Sequence, residues 1–460
     1  MSDAVPWFSI HSERKMFPGA TVAALRPPGE AAGHVDLFVT DADGTVWSTY
    51  YDIISQWRDW FPIHPELRVF PGAAVTALQT SDTHIDLFVT GRDGTVWSTF
   101  HDRGRDWAEW FAIHPRVQMF PGATITALKP PTEAAGHIDL FVTDANGTVW
   151  STYFDTIAKW RDWFPIHPEM RMFPGATVTA LQTPTEADQR ADGRNLGAKR
   201  GHIDLFVTDA DGYVWSTFHE RSIDWVDWFQ VGNDPWLVPG ATVTVPITRI
   251  GSVYLMGCNR DGTMMSTYFG PWHSWVFVDP GRLMQPGATA AIPSIIHGAD
   301  STGYTTGVFA VDAEGLVWAT EYALYSWDTQ WEAAEFYADD TPKPWEHFWL
   351  PWSPINPGQR VVDPKATVTT IQWDDTPDDA DQHTFRIHTD MFATGRDGTV
   401  WSTFWATDEH SRSFRPDPPQ LQPNDPEWSG PGASPGDGGD GPDEPDDPSD
   451  DSDEGQGGGA

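Results

Sequence analysis

The chain has almost no cysteine, little lysine and no long apolar run. Its 460 residues include one cysteine, Cys258. A lone thiol excludes an intrachain disulfide, so the fold cannot rest on covalent staples. Cys258 shares the register of Thr40 near the end of a strand-like segment and reads as a buried, inert thiol. Lysine is confined to Lys15, Lys129, Lys159, Lys199, Lys343 and Lys365. With 28 basic against 66 acidic residues the formal net charge is -38. Phosphate binding needs clustered Lys and Arg, so a nucleic-acid partner is excluded. No stretch approaches the ~20 apolar residues that span a bilayer, so no membrane insertion is expected. Residues 1–10 lack the basic and apolar segments of a secretory signal, which makes the cytoplasm the default location and leaves export by another route open. A Gly-x-Ser-x-Gly elbow and a phosphate loop are also missing.

Acid and tryptophan are plentiful. From Pro416 onward lie 13 acidic residues and no Lys or Arg, yet the body before Pro416 is strongly acidic too. Two readings stand: adaptation to high salt, which screens self-repulsion, or an ordinary acidic protein. The tail, 416–460, is rich in Pro, Gly, Asp and Ser and is expected to be disordered, because burial cannot offset its ordering entropy. Most of the 26 tryptophans recur at fixed places in a repeat, which marks them first as packing residues.

The repeat is most visible as D-G-T-V-W-S-T and its variants. It occurs at Asp43–Thr49, Asp93–Thr99, Asn146–Thr152, Asp211–Thr217, Asp261–Thr267, Glu314–Thr320 and Asp397–Thr403. A unit of this length cannot bury its own apolar face, so neighbouring units must share a core. Each unit has a Pro-Gly turn and a first strand, as at Pro18-Gly19, then Asp36–Thr40, Thr45–Tyr50 and a fourth piece around Trp57–Phe61. Short segments rich in Val, Phe, Thr and Trp between Gly, Pro and Asp turns read as strands, and four per unit make a propeller blade. The Asp-Gly turn between the second and third strands reads as a tight hairpin.

This pattern predicts an all-β, seven-bladed β-propeller of four-stranded antiparallel blades over residues 1–415. The blades fall at about 18–69, 71–119, 121–172, 174–237, 239–284, 286–362 and 364–415. The seventh unit lacks a W-x-x-W-F piece, and Trp7-Phe8-Ser9-Ile10 within 4–16 supplies one, so the N-terminal strand is expected to close the ring. Polar insertions at 183–200, 333–343 and 373–382 read as loops.

The succession F-P-G-A-T-V, D-L-F-V-T-D-A-D-G-T-V-W-S-T-Y and W-R-D-W-F resembles the repeat of PLL-like seven-bladed propeller lectins. The resemblance covers roughly residues 4–415. It implies sugar binding, of L-fucose-like or methylated sugars, in clefts between blades lined by aromatic and small polar residues. The fifth and sixth units depart most: Met265 replaces the third-strand Trp, and Tyr254 and Gly307 replace the second-strand Asp. Fewer than seven working sites are therefore expected.

A sugar site needs an aromatic face and fixed polar groups. Two aromatic sets qualify. The third-strand set is Trp47, Trp97, Trp150, Trp215 and Trp401, with Trp318 in register. The outer set is Trp57, Trp107, Trp160 and Trp225, accompanied by Asp59, Glu109, Asp162 and Asp227. For both, packing between blades is the competing reading. The H-x-D pairs His34/Asp36, His84/Asp86, His137/Asp139, His202/Asp204 and His388/Asp390 read as a structural network stapling strands, because five copies of an active site in one enzyme are implausible. His64, His114 and His167 in I-H-P, matched by His11, follow the fourth strand, where sugar contact and simple turn structure both remain open.

D-A-D-G at Asp41–Gly44 hints at calcium, but Gly91, Gly395 and Asn259 replace its first acid and the turn offers too few oxygens. Sialidase-type propellers repeat S-x-D-x-G-x-x-W, and Ala42 stands where that Asp is required. No isolated carboxylate pair stands out for acid–base work. The reading is a multivalent glycan-binding protein that is not an enzyme and has no catalytic residue, metal or cofactor. A protein-interaction scaffold using one propeller face is the alternative, and a glycoside hydrolase ranks last. Oligomeric state is not readable.

Overall fold

A computed structural model describes residues 4–27, 33–54, 56–130, 136–182, 202–220, 224–245, 254–268, 274–292, 303–325, 346–349, 351–374 and 384–410. The acidic tail, the insertions at 183–200 and 333–343, and 375–382 of the insertion expected at 373–382 lie outside the described residues; Trp373 and Asp374 are the end of a strand, Thr369–Asp374, not a loop. Those residues hold strands and turns and no helix. The strands make seven antiparallel sheets, one per sequence repeat.

Blade 1 shows how the repeat folds. Ala23–Leu25, Val35–Thr40 and Val46–Asp52 pair in order, with Phe38 opposite Ser48 and Val39 opposite Trp47. Its fourth strand is broken. Gln56–Trp57 pairs with Tyr51 and Asp52, and Phe61–Pro62 pairs with Trp47 and Ser48. Between them, Arg58 N–H donates to Tyr50 O at 2.9 Å and Arg58 O accepts from the Thr49 hydroxyl. The local bulge swings Asp59 outward and Trp60 inward, since extra residues in one strand re-aim side chains. Blades 2 to 4 repeat the plan. In blades 5 and 6, isolated bridges (Thr244 with Met256, Ala291 with Phe309) stand in for the first strand.

Blade 7 is assembled from both ends of the ring. Thr369–Asp374, Thr384–Thr394 and Val400–His410 receive Phe8–Ser9 as their fourth strand, with Phe8 opposite Ser402. Gln359 of blade 6 clamps the joint: its Oε1 accepts from Trp7 N–H at 2.7 Å, and its Nε2 donates to Trp7 O at 3.0 Å. Trp7 is 4% exposed and Ile10 1%. The expected ring closure is therefore present.

The core is divided among the blade junctions. Seven clusters of buried side chains each straddle two blades. Phe38 of blade 1, for example, packs with Val75, Ile85 and Leu87 of blade 2, while Leu37 and Val39 face the junction with blade 7. Both faces of the second strand are thus buried, which is why D-L-F-V-T runs apolar without alternation. The second tryptophan of W-x-x-W ties the junctions. Trp60, Trp110, Trp163, Trp228, Trp275 and Trp352 each donate the indole N–H to a carbonyl of the preceding blade, at 3.1 to 3.3 Å.

The hairpin acid has a structural partner. Asp41 Oδ1 accepts from the Asp43 and Thr45 N–H groups, and Oδ2 accepts from Trp47 Nε1 at 2.8 Å. Asp144, Asp209 and Asp312 hold Trp150, Trp215 and Trp318 in the same way. These bonds occupy the carboxylate oxygens, in keeping with a hairpin rather than a calcium loop. Cys258 is fully buried, and that burial pushes its thiol up to about 11, as an inert thiol requires.

Candidate ligand clefts between the blades

The two tryptophan sets occupy different places. The third-strand set sits deep beside the hairpins, with its indole N–H groups bound to the hairpin Asp in blades 1, 3, 4 and 6. Trp47 is 8% exposed, and the Arg14 guanidinium lies over its ring at 3.9 Å. Arg282 lies over Trp318 at 3.4 Å. Residues in the same position, Leu67, Val117 and Met170, belong to the clusters that include Trp97, Trp150 and Trp215. Trp401 packs at the edge of the cluster between blades 6 and 7.

The outer set lies at the junction mouths, half-buried. Each ring meets the edge of a second-strand Phe from the preceding blade. The pairs are Trp57 with Phe392, Trp107 with Phe38, Trp160 with Phe88 and Trp225 with Phe141, at 5.6 to 5.9 Å. The other neighbour alternates around the ring. Trp57 and Trp160 lean on Tyr51 and Phe154, whereas Trp107 and Trp225 lean on His101 and His219. Edge contacts of this kind fix a ring's orientation while leaving part of its surface open.

The structure also brings the I-H-P histidines to this set. His11, His64, His114 and His167 have φ of 43° to 46°. That left-handed turn aims each imidazole across the junction, where Nε2 reaches the carbonyl of Trp57, Trp107, Trp160 or Trp225 at 2.9 to 3.1 Å. On the other side of each ring stand the expected carboxylates. His11 Nδ1 lies 3.4 Å from both Asp59 and Glu13, and His167 Nδ1 lies 3.3 Å from Glu169 and 3.5 Å from Asp227. His64 faces Glu66 at 3.3 Å with Glu109 close by, and His114 faces Asp162 at 3.0 Å. The acids are mostly solvent-exposed; Asp59 is 92% exposed and the imidazoles about a quarter to a third.

Four mouths therefore carry the full set of indole, imidazole and carboxylate. The other three lose it. Gly232, Asp279 and Asn356 take the histidine's place, all with positive φ, and Ser274, Pro351 and Pro6 take the acid's. In the sequence the histidines stand apart from the tryptophans, and Glu13, Glu66 and Glu169 are not among the expected site residues. The spacing H-x-E after the fourth strand was the available signal.

The H-x-D pairs lie elsewhere, and their contacts run both along the second strand and across to its neighbours, as where the Thr80 hydroxyl of the first strand donates to Asp86 Oδ2 at 3.0 Å. His34, His84, His137 and His388 reach Asp36, Asp86, Asp139 and Asp390 at 3.2 to 3.4 Å. Each ring stacks on an aromatic of the adjacent third strand: Tyr50, Phe100, Tyr153 or Phe404. His84 also crosses to the neighbouring third strand by a hydrogen bond to Asp102 at 2.7 Å. The Asp86 and Asp102 carboxylates raise His84 to about 9 against the opposing effect of burial. Asp204 is buried, and the His202 side chain lies outside the described residues. A cavity of about 480 Å³ lies away from all these groups, lined by Phe17, Gln285, Asp363, Lys365 and Arg396 among others.

No family model matches the chain, and no curated protein matches it. Among solved structures, the BP39L lectin from Burkholderia pseudomallei superimposes with a TM-score of 0.63 at 19% identity, covering 86% of this chain and 97% of that one. The propeller fold is shared. SapL1 lectin, in complex with α-methyl fucoside, gives a TM-score of 0.44 at 16% identity over 69% of this chain and 95% of that one. A six-bladed fucose-recognising lectin from Aleuria aurantia gives 0.41 at 12% identity over 75% and 99%. Among the described residues no helix is long and apolar enough to cross a membrane.

Proposed function

We infer that this protein is a multivalent carbohydrate-binding lectin whose sugar sites are the outer junction mouths at Trp57, Trp107, Trp160 and Trp225. The observation that supports this is the fourfold recurrence of a half-buried indole beside an imidazole and an exposed carboxylate. The indole offers an apolar face for sugar C–H groups, and the carboxylate accepts from hydroxyls. The outer set is preferred to Trp47 and its equivalents because several of those are capped by Arg or have the indole N–H committed to Asp. The chemistry is binding without turnover: the four mouths repeat one another, and none holds a distinct acid–base pair. Each site would be weak alone, and display of several on one rigid ring multiplies affinity for a glycan surface.

Sugar identity follows the resemblance to PLL-like lectins, so α-methyl-L-fucoside and O-methylated sugars are the first probes. Glycan-array binding and calorimetry with these sugars test the reading in dilute and in molar salt. About four equivalents per chain are expected, falling by about one in Trp107→Ala. Absence of glycan binding in every salt condition overturns the reading. Selective capture of one protein partner without glycan replaces it with the scaffold reading, and release of aryl from aryl glycosides replaces it with a hydrolase.

A further inference from the structure

The junction histidines have a feature that sugar binding does not require. Each Nε2 contacts a backbone carbonyl, which can only accept. Nε2 must therefore carry the ring's hydrogen, and in the neutral imidazole Nδ1 is then a bare lone pair. In three mouths that lone pair faces two carboxylates. The groups are His11 with Glu13 and Asp59, His64 with Glu66 and Glu109, and His167 with Glu169 and Asp227, each with ligand atoms within 4.8 Å of one another. A lone pair and two anions held within 4.8 Å of one another repel unless a positive charge lies between them.

The geometry points to a divalent transition-metal site, of the zinc class, at each of these three mouths. Imidazole nitrogen with two carboxylate oxygens is a donor set suited to such ions, and open positions would be completed by water. Nδ1 lies 3.4 Å from both Glu13 and Asp59 at His11, 3.3 Å from Glu66 at His64, and 3.3 and 3.5 Å from Glu169 and Asp227 at His167. Two ligands of a tetrahedral ion bound at ~2.0–2.2 Å stand about 3.3–3.6 Å apart, so the donors are already spaced for one. The Nε2–H bond to a backbone carbonyl is the outer contact that metal-bound histidines usually make, and it fixes the tautomer and aim of the ring. Two further facts set the sites apart from chance acidity. The same three donors recur at three equivalent positions. The fourth mouth keeps His114 and Asp162 but has Arg116 where the others have Glu13, Glu66 and Glu169, which places a cation of the chain's own in the third ligand's position. This assignment stands whether or not the mouths bind sugar.

Equilibrium dialysis of the untagged, chelator-treated full chain against Zn2+ tests it, with Co2+ absorption as the coordination signature. Three equivalents of tight Zn2+ are expected, and Co2+ should show the intense visible bands of a four-coordinate site. Replacing Glu13, Glu66 and Glu169 together by Gln keeps every imidazole and its carbonyl bond, and should weaken binding at least tenfold with the metal-free melting temperature unchanged. His114→Ala should leave the three equivalents intact. Arg116→Glu should add a fourth. Zn2+ uptake that is absent, or that the triple Gln variant retains in full, overturns the assignment.

Discussion

The glycine of the Asp-Gly hairpin is a sharper test of the fold than any buried side chain. Gly94 has φ of 80°, and a Cβ there would lie 2.1 Å from Met119 O, on the segment leading to the next blade. The same segment donates Met119 N–H to Gly94 O at 2.8 Å. Gly104, in the same blade, has a nearly identical φ of 77° and nothing within 4 Å of its Cβ position. Alanine at Gly104 therefore meets only the left-handed backbone cost of about 1–2 kcal/mol. Alanine at Gly94 meets that cost and also a backbone collision. Relief requires a main-chain shift of about 1–3 kcal/mol and loss of a hydrogen bond of about 1 kcal/mol. We expect Gly94→Ala to cost about 3–6 kcal/mol and Gly104→Ala about 1–2 kcal/mol. Urea unfolding of the two variants at one salt concentration gives the comparison. Asparagine, which tolerates positive φ, should be nearly neutral at Gly104 and still costly at Gly94. Equal costs at the two positions would refute the claim that close approach of the segment leading to the next blade, rather than φ, demands the hairpin glycine.

Other perturbations address the ring and its charges. A chain lacking residues 1–10 loses buried Trp7 and Ile10 and the carbonyl that Trp60 uses, so it should be destabilised by more than about 5 kcal/mol; a melting temperature like that of the full chain would refute closure by this strand. His84 is raised to about 9 in the fold, so its stabilisation is complete below about 6.5 and is lost as pH rises through 9. After screening of a partly exposed pair this is worth about 1–2 kcal/mol, and unfolding followed from pH 6 to 10 should show the loss in the parent but not in His84→Gln. Asp144→Ala strands Trp150 Nε1 and two hairpin N–H groups and should cost about 1–3 kcal/mol in urea unfolding, with an unchanged midpoint as the contrary result. If the acidity is salt adaptation, melting temperature climbs steeply from dilute to molar salt, and a flat response assigns the acidity to solubility alone.

How much of this was legible in the sequence depended on how local each cause is. The strands, the hairpins and the closing role of Trp7–Ile10 could be read because turn chemistry and missing pieces of a repeat are visible along the chain. The partner of a side chain in another blade is not. Asp41 reads from the sequence as a hairpin acid, but that its second oxygen holds Trp47, six residues on across the hairpin, is not visible there. Trp57 and Trp60 looked like one motif, yet the strand break between them sends Trp60 into the junction to bond Ile10 O and leaves Trp57 at the mouth. His11 and Trp57 are 46 residues apart and meet only because the ring closes between blades 7 and 1.

These cases suggest a rule for separating scaffold from site within a repeat. A feature needed to build the ring must appear at all seven positions, whatever residue supplies it. The left-handed turn after the fourth strand does so: His11, His64, His114, His167, Gly232, Asp279 and Asn356 all have positive φ. Glycine, asparagine, aspartate and histidine are types that tolerate that conformation, so the backbone alone accounts for which residues are allowed there. It does not account for histidine at four successive junctions, each beside a first-position Trp and an acid two residues beyond it. That subset ends where blade 5 begins, while the glycine hairpins and second tryptophans continue around the ring. Residues that recur seven times are thus best read as architecture, and those that stop at four as the protein's chemistry. The rule can be tested directly: restoring histidine at Gly232 and aspartate at Ser274 rebuilds two of the missing groups. A Cβ at Gly232 would lie 2.9 Å from Trp275 Cδ1, so the variant loses some stability as that indole gives way; if the rule holds it still folds and gains ligand binding at the junction of blades 4 and 5, and a folded variant with no gain would show that these groups do not make the site.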